Sequence, residues 1–135
     1  MTITTTDPEA YARENNIAVD DHHGGEKGRR HPDGSITLRS DLGPIARRCT
    51  LAHELGHHTY GHQPTANQVL HNRQERRADE YAARMLIDPD AYQEAEAQYG
   101  PHVGAIAWAL GVTRHLVEVW RAMVHTTPHK ITVRN

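Results

Sequence analysis

A chain of 135 residues, 37% hydrophobic and 5% aromatic with no Phe, is sized for one domain over residues 1–135, with a core leaning on Ala, Leu, Ile and Val. A net charge of −2 excludes a global field that gathers nucleic acid, and no stretch is apolar for long enough to span a bilayer. The single Cys49 excludes an internal disulfide and fits a reducing cytoplasm, while the polar start Met1-Thr2-Ile3-Thr4-Thr5-Thr6-Asp7 lacks a signal-peptide pattern.

Asp7-Pro8-Glu9 reads as an N-cap followed by Pro at the first helical position, so a short helix is expected over Glu9–Glu14. Ile17-Ala18-Val19 reads as a strand, and Asp20–Gly28 as a polar loop in which His22 and His23 are solvated. Gly28–His31 and Ser35–Ser40 flank the turn Pro32-Asp33-Gly34. Ile36 and Leu38 alternate with Thr37 and Arg39, the period of a half-buried strand. An exposed edge of such a sheet can take an extended peptide as an added strand.

The main helix is expected from Pro44 to Tyr60, with Gly61 as its C-cap. Gly56 inside it costs about 1 kcal/mol relative to Ala, which calls for a close neighbour at that point. Within this helix stands His53-Glu54-Leu55-Gly56-His57, an H-E-x-x-H spacing. Residues four apart share one helix face, roughly 6 Å apart along the axis, so two imidazoles can grip one divalent ion. Glu54 then reaches a water on the same ion as a general base, which is the arrangement of a zinc-dependent peptidase. Manganese or cobalt would suit the same ligand types.

Gln63–Asn72 reads as a polar connection, followed by a helix from Arg73 to Ile87 that stops before Asp88-Pro89. Asp90–Tyr99 follows, then a break at Gly100-Pro101 and helical segments over Val103–Leu110 and Thr113–Val124. His125–Asn135 reads as a tail, frayed or forming a short strand.

A catalytic zinc takes three protein ligands and a water. His62, His71 and Glu75 are the options for the third. A metzincin needs Gly three and His six residues after the second motif His. Those positions hold Tyr60 and Gln63 here, with Gly61 and His62 off by one. No spacing argument supports His71. Glu75 shares a helix face with Asp79, whose carboxylate could accept the other ring N–H of a ligand His and fix its aim. Glu75 is therefore favoured as ligand, with Asp79 as the support of a ligand His. The plainer alternative is a solvated charged face of Glu75, Arg76, Arg77, Asp79 and Glu80.

The run Leu51-Ala52-His53-Glu54-Leu55-Gly56-His57, then Glu75-x-x-Ala78-Asp79-x-Tyr81-Ala82-Ala83-x-Met85-Leu86-x-x-Pro89, resembles the ImmA/IrrE metallopeptidases. The resemblance covers roughly Ser35–Trp120. It departs from the family at Tyr81, usually Phe, and at Ile87-Asp88 before Pro89. It implies gluzincin-like zinc binding by His53, His57 and Glu75, with Glu54 as catalytic base. It also implies an α+β fold: a small antiparallel sheet of about three strands packed on the H-E-x-x-H helix, with several further helices. The substrate class it implies is a helix-turn-helix transcriptional repressor of a phage or mobile element, cleaved in the cytoplasm. Tyr60, His58 and His115 are the candidates for a second oxyanion donor.

Residues 103–124 also resemble a helix-turn-helix, and Arg114, His115 and Arg121 could meet phosphates. Only two Arg lie there, Glu118 sits among them and the chain is acidic, so packing or substrate docking is favoured over direct nucleic-acid binding. A third reading is a zinc-stabilised protein that sequesters a repressor without cutting it. The remaining histidines, among them His31, His62, His71, His102, His125 and His129, read as surface residues.

Overall fold

The computed structural model describes residues 7–132, with side chains described through residue 124, so the polar start at Met1–Thr6 lies outside the described residues. The first helix, α1 (Pro8–Glu14), is capped as expected: the Asp7 carboxylate accepts the Glu9 N–H at 3.1 Å. The chain then reverses through Asn16, a non-glycine residue at φ 58°. The Ile17 N–H donates to the Ala12 carbonyl at 2.8 Å. That bond closes the helix and holds Ile17 out of a strand, so β1 spans Val19–His22, later than the expected Ile17-Ala18-Val19.

The turn at Pro32-Asp33-Gly34 joins β2 (Gly28–Arg30) to β3 (Ile36–Arg39) as an antiparallel hairpin. The Asp33 carboxylate accepts the Ser35 N–H at 2.9 Å, and Gly34 supplies φ 91°. The order is β1-β3-β2, and β1 runs parallel to β3. The sheet is therefore mixed, where the sequence pointed to an antiparallel one. The α+β class holds. β3 takes the middle because Ile36 and Leu38 are both fully buried, whereas no residue of β1 or β2 is buried to that degree. Antiparallel β1 and β2 are thus separated by the strand with the most apolar surface to hide.

Helix α2 (Pro44–Tyr60) has the expected bounds, with Pro44 at its first position and Gly61 closing it at φ 65°. It packs against α1, β2, β3 and α3. Leu51 and Leu55 on it are fully buried. Helix α3 (Gln68–Leu86) begins earlier than the expected Arg73. The Asn67 side chain accepts the Leu70 N–H at 3.0 Å, and this cap starts a helix in a stretch whose polar composition reads as loop. Helices α4 (Pro89–Tyr99), α5 (Val103–Leu110) and α6 (Arg114–Thr132) complete the chain. The expected tail from His125 is helical through Thr132, and residues 133–135 lie outside the described residues. Among the described residues no helix is long and apolar enough to cross a membrane.

Gly56 explains how α2 and α3 approach. A Cβ there would stand 3.0 Å from Ala78 Cα and 3.1 Å from its carbonyl oxygen. Ala78 is itself fully buried. The absence of a side chain on one helix and a methyl on the other let the two backbones meet, one turn from Glu75.

A candidate metal centre

His53 and His57 project from the same face of α2, and Glu75 faces them from α3. The two Nε2 atoms are 3.1 Å apart. Glu75 Oε1 lies 3.2 Å from His53 Nε2, and Oε2 lies 2.8 Å from His57 Nε2. One donor atom from each residue falls within 4.8 Å of the others. Ligands about 2.0–2.2 Å from a tetrahedral zinc stand roughly 3.3–3.6 Å from one another, so these three need only spread slightly to hold such an ion. The chemistry agrees: two bare ring nitrogens repel at 3.1 Å unless a proton or cation lies between them.

The support around the three is equally specific. His53 Nδ1 bonds Asp79 Oδ1 at 2.8 Å, one helical turn beyond Glu75. The second Asp79 oxygen accepts His115 Nε2 at 2.8 Å, from the first turn of α6. His57 Nδ1 lies 2.9 Å from His62 Nδ1, just past the α2 C-cap. Burial disfavours a charged His53 ring, but the Asp79 and Glu75 carboxylates outweigh it and hold the ring at a pKa of about 10. The same hydrogen bonds from His53 and His57 drive the Glu75 carboxyl well below the usual range. Burial would lift Asp79, yet its bonds from His53 and His115 leave it lowered.

Glu54 sits beside this set on the sheet side. Burial pushes its carboxyl above the ordinary value, against the pull of His53, His57 and Arg30. Arg30 Nε stands 4.0 Å from Glu54 Oε1. Gly28 in β2 makes room for the acid: a Cβ there would stand 2.8 Å from Glu54 Cγ and 2.9 Å from Oε2. A cleft of about 880 Å³ runs along this site, with β2 on one side and the starts of α3 and α6 on the other.

The structure thus brings together His53, Glu54, His57, Glu75, Asp79 and His115, all of which line the cleft. Tyr60 and His58 are not among the lining residues. Arg77 lies over the Tyr60 ring at 4.2 Å and Arg84 donates to its hydroxyl at 3.3 Å, which together hold the phenol below its ordinary pKa. His58 is exposed. Read from the sequence as surface residues, His31 and His71 also line the cleft. Arg30, and the contact of His62 with His57 (His62 having been weighed as a third ligand and then read as a surface residue), were missed for a shared reason. Their roles come from the chain folding back: the His62 N–H returns to the His57 carbonyl at 3.0 Å, and the Arg30 guanidinium donates to the His62 carbonyl at 2.6 Å. The available signal was the pair His57 and His62 straddling the C-cap Gly61. The segment that resembles a helix-turn-helix packs its second helix against α3, with Leu116 and Val117 buried and His115 turned to Asp79.

No curated protein matches the chain. The peptidase family described as the IrrE N-terminal-like domain matches residues 12–119, which hold every residue of this cluster. The chain therefore belongs to the IrrE N-terminal-like domain family of peptidases, with His53, His57 and Glu75 as its candidate group for a divalent metal.

Proposed function

We propose that the protein is a zinc-dependent endopeptidase in which His53, His57 and Glu75 hold the metal and Glu54 is the catalytic base. The observation that carries this is the convergence of two ring nitrogens and a carboxylate from separate helices, with a second, half-buried carboxylate beside them. When bound, zinc acts as a Lewis acid and lowers the pKa of a water toward about 7; manganese or cobalt would suit the same donors. Glu54 takes the proton from the attacking water and returns it to the leaving amine. Its raised pKa makes it a better proton carrier than a solvated carboxylate. His115, anchored through Nε2 on Asp79, is the one of the three oxyanion candidates that faces the cleft.

Substrate binding follows from the sheet edge. The Lys27 carbonyl accepts the Arg39 N–H at 2.8 Å, and the His31 N–H donates to the Ser35 carbonyl at 2.9 Å. By antiparallel alternation, the backbone groups of Gly28 and Arg30 point away from β3. An extended segment pairing there lies alongside Glu54. The proposed substrate is a helix-turn-helix transcriptional repressor of a phage or mobile element, met in the cytoplasm. Co-expression with a repressor encoded nearby, followed by mass spectrometry, tests this. New termini are expected with the wild type and none with Glu54→Gln. Intact repressor bound to the wild type would instead favour sequestration without cleavage.

A further inference from the structure

We propose that His62 is a positioning residue for the metal centre: its ring accepts the Nδ1–H of His57 and so fixes the tautomer and aim of that ligand. This rests on the metal-centre reading above. His57 is the buried polar residue among the described residues, 7% exposed, so its Nδ1 depends on a protein partner. That partner is His62 Nδ1, at 2.9 Å. The His62 ring is itself held on several sides. The residue's backbone N–H donates to the His57 carbonyl, its backbone carbonyl takes the Arg30 guanidinium, and its ring stacks on Tyr60 with centroids 5.5 Å apart. Gly61 at φ 65° provides the reversal that brings it back.

The protons balance in one way. A His57 Nε2 lone pair turned to the metal leaves the proton on Nδ1. That proton points at His62 Nδ1, which must then be bare, so the His62 proton sits on Nε2. The two ligand rings are consequently unequal. His53 is backed by the carboxylate of Asp79, His57 by a neutral imidazole. A carboxylate partner makes a ligand ring more electron-rich, whereas an imidazole orients it without adding a further negative charge to the site.

The test is zinc affinity of the full chain by chelator competition. Losing such a partner lowers metal affinity roughly 10- to 100-fold, which is the expectation for His62→Leu. His62→Gln offers an acceptor oxygen and is expected to recover most of that loss. Wild-type affinity in His62→Leu, or no recovery in His62→Gln, would overturn the proposal while leaving the metal centre standing. A His53→Ala variant that also binds zinc unchanged would show that the metal-centre reading itself fails. Ring ¹⁵N spectra of the zinc-loaded wild type give a check that needs no variant. Protonated His57 Nδ1 with bare His62 Nδ1 is expected; a proton on His62 Nδ1 refutes it.

Discussion

Ala78 lies so close to Gly56 that a methyl on the glycine would stand 3.0 Å from the Ala78 Cα. The neighbouring atoms are Ala78 backbone and the Tyr81 Cβ, none of which a side-chain rotation moves aside. Gly56→Ala gains up to about 1 kcal/mol of helix propensity, but it forces the helices apart near Glu75. Weaker zinc binding without a rise in thermal midpoint is expected. Gly56→Val overpacks the seam at a cost of roughly 1–3 kcal/mol, and it should lower both midpoint and affinity. Unaltered melting and zinc titration curves for the Val variant would show that this contact does not locate the site.

The strand side of the cleft makes a separable prediction. Gly28→Ala places a methyl 2.8 Å from Glu54 Cγ, and the carboxylate is the softer partner. Glu54 should swing away, cutting turnover while zinc content and melting temperature stay near wild type. Steady-state cleavage measured beside elemental analysis decides it, and equal loss of metal and activity would point to a wider distortion.

For the proposed base, Glu54→Gln is expected to keep zinc and lose roughly 10²- to 10⁴-fold in rate. Glu75→Ala should instead lose the metal. Turnover at the wild-type rate in the first variant, or full zinc retention in the second, contradicts the respective role.

Asp79 is shared between His53 and His115. Asp79→Ala should therefore weaken zinc binding by roughly 10- to 100-fold through His53 and also free the His115 ring. His115→Ala should lower the rate and spare most of the metal affinity. Chelator titrations on the two variants, compared with their cleavage rates, separate the effects.

Cys49, one turn before His53 on α2 and lining the same cleft, offers a pH test on a group outside the candidate ligand set. Burial pushes its thiol up, opposed by hydrogen bonding at Thr113 and by Arg48. A raised pKa means less thiolate at any given pH, and iodoacetamide should label Cys49 more slowly in the folded chain than in the unfolded one. The sign for stability follows. The folded state favours the neutral thiol, so the contribution is full below the ordinary thiol pKa and is lost as pH climbs through the raised one. Cys49→Ala should flatten that alkaline decline in denaturant melts.

Much of the site was legible because its signals are local. Pro44 and Gly61 bracket α2, and the spacing of His53, Glu54 and His57 survives any tertiary detail. Glu75 and Asp79 were legible as a pair because both lie on one helix face. What stayed hidden depended on chain reversals and non-local pairing. The parallel partnership of β1 with β3 leaves no trace in the alternation of either strand. The start of α3 turned on one cap, Asn67, in a stretch that otherwise reads as loop. His62 looked like one more surface histidine because only the left-handed Gly61 turns it back onto His57.

The seam between α2 and α3 has a price beyond geometry. At the point nearest Glu75 a glycine faces an alanine, and that contact alone removes little hydrocarbon from water, although buried Leu51 and Leu55 of α2 and Ala82 and Leu86 of α3 share one core elsewhere. A divalent ion held by the candidate ligands of both helices would act as a rivet across that seam. A ligand held only by the native state adds RT ln(1 + [L]/Kd), about 4 kcal/mol at a thousandfold excess over Kd. Metal supply should then govern how long the molecule endures, with the metal-starved form the first to melt and be degraded.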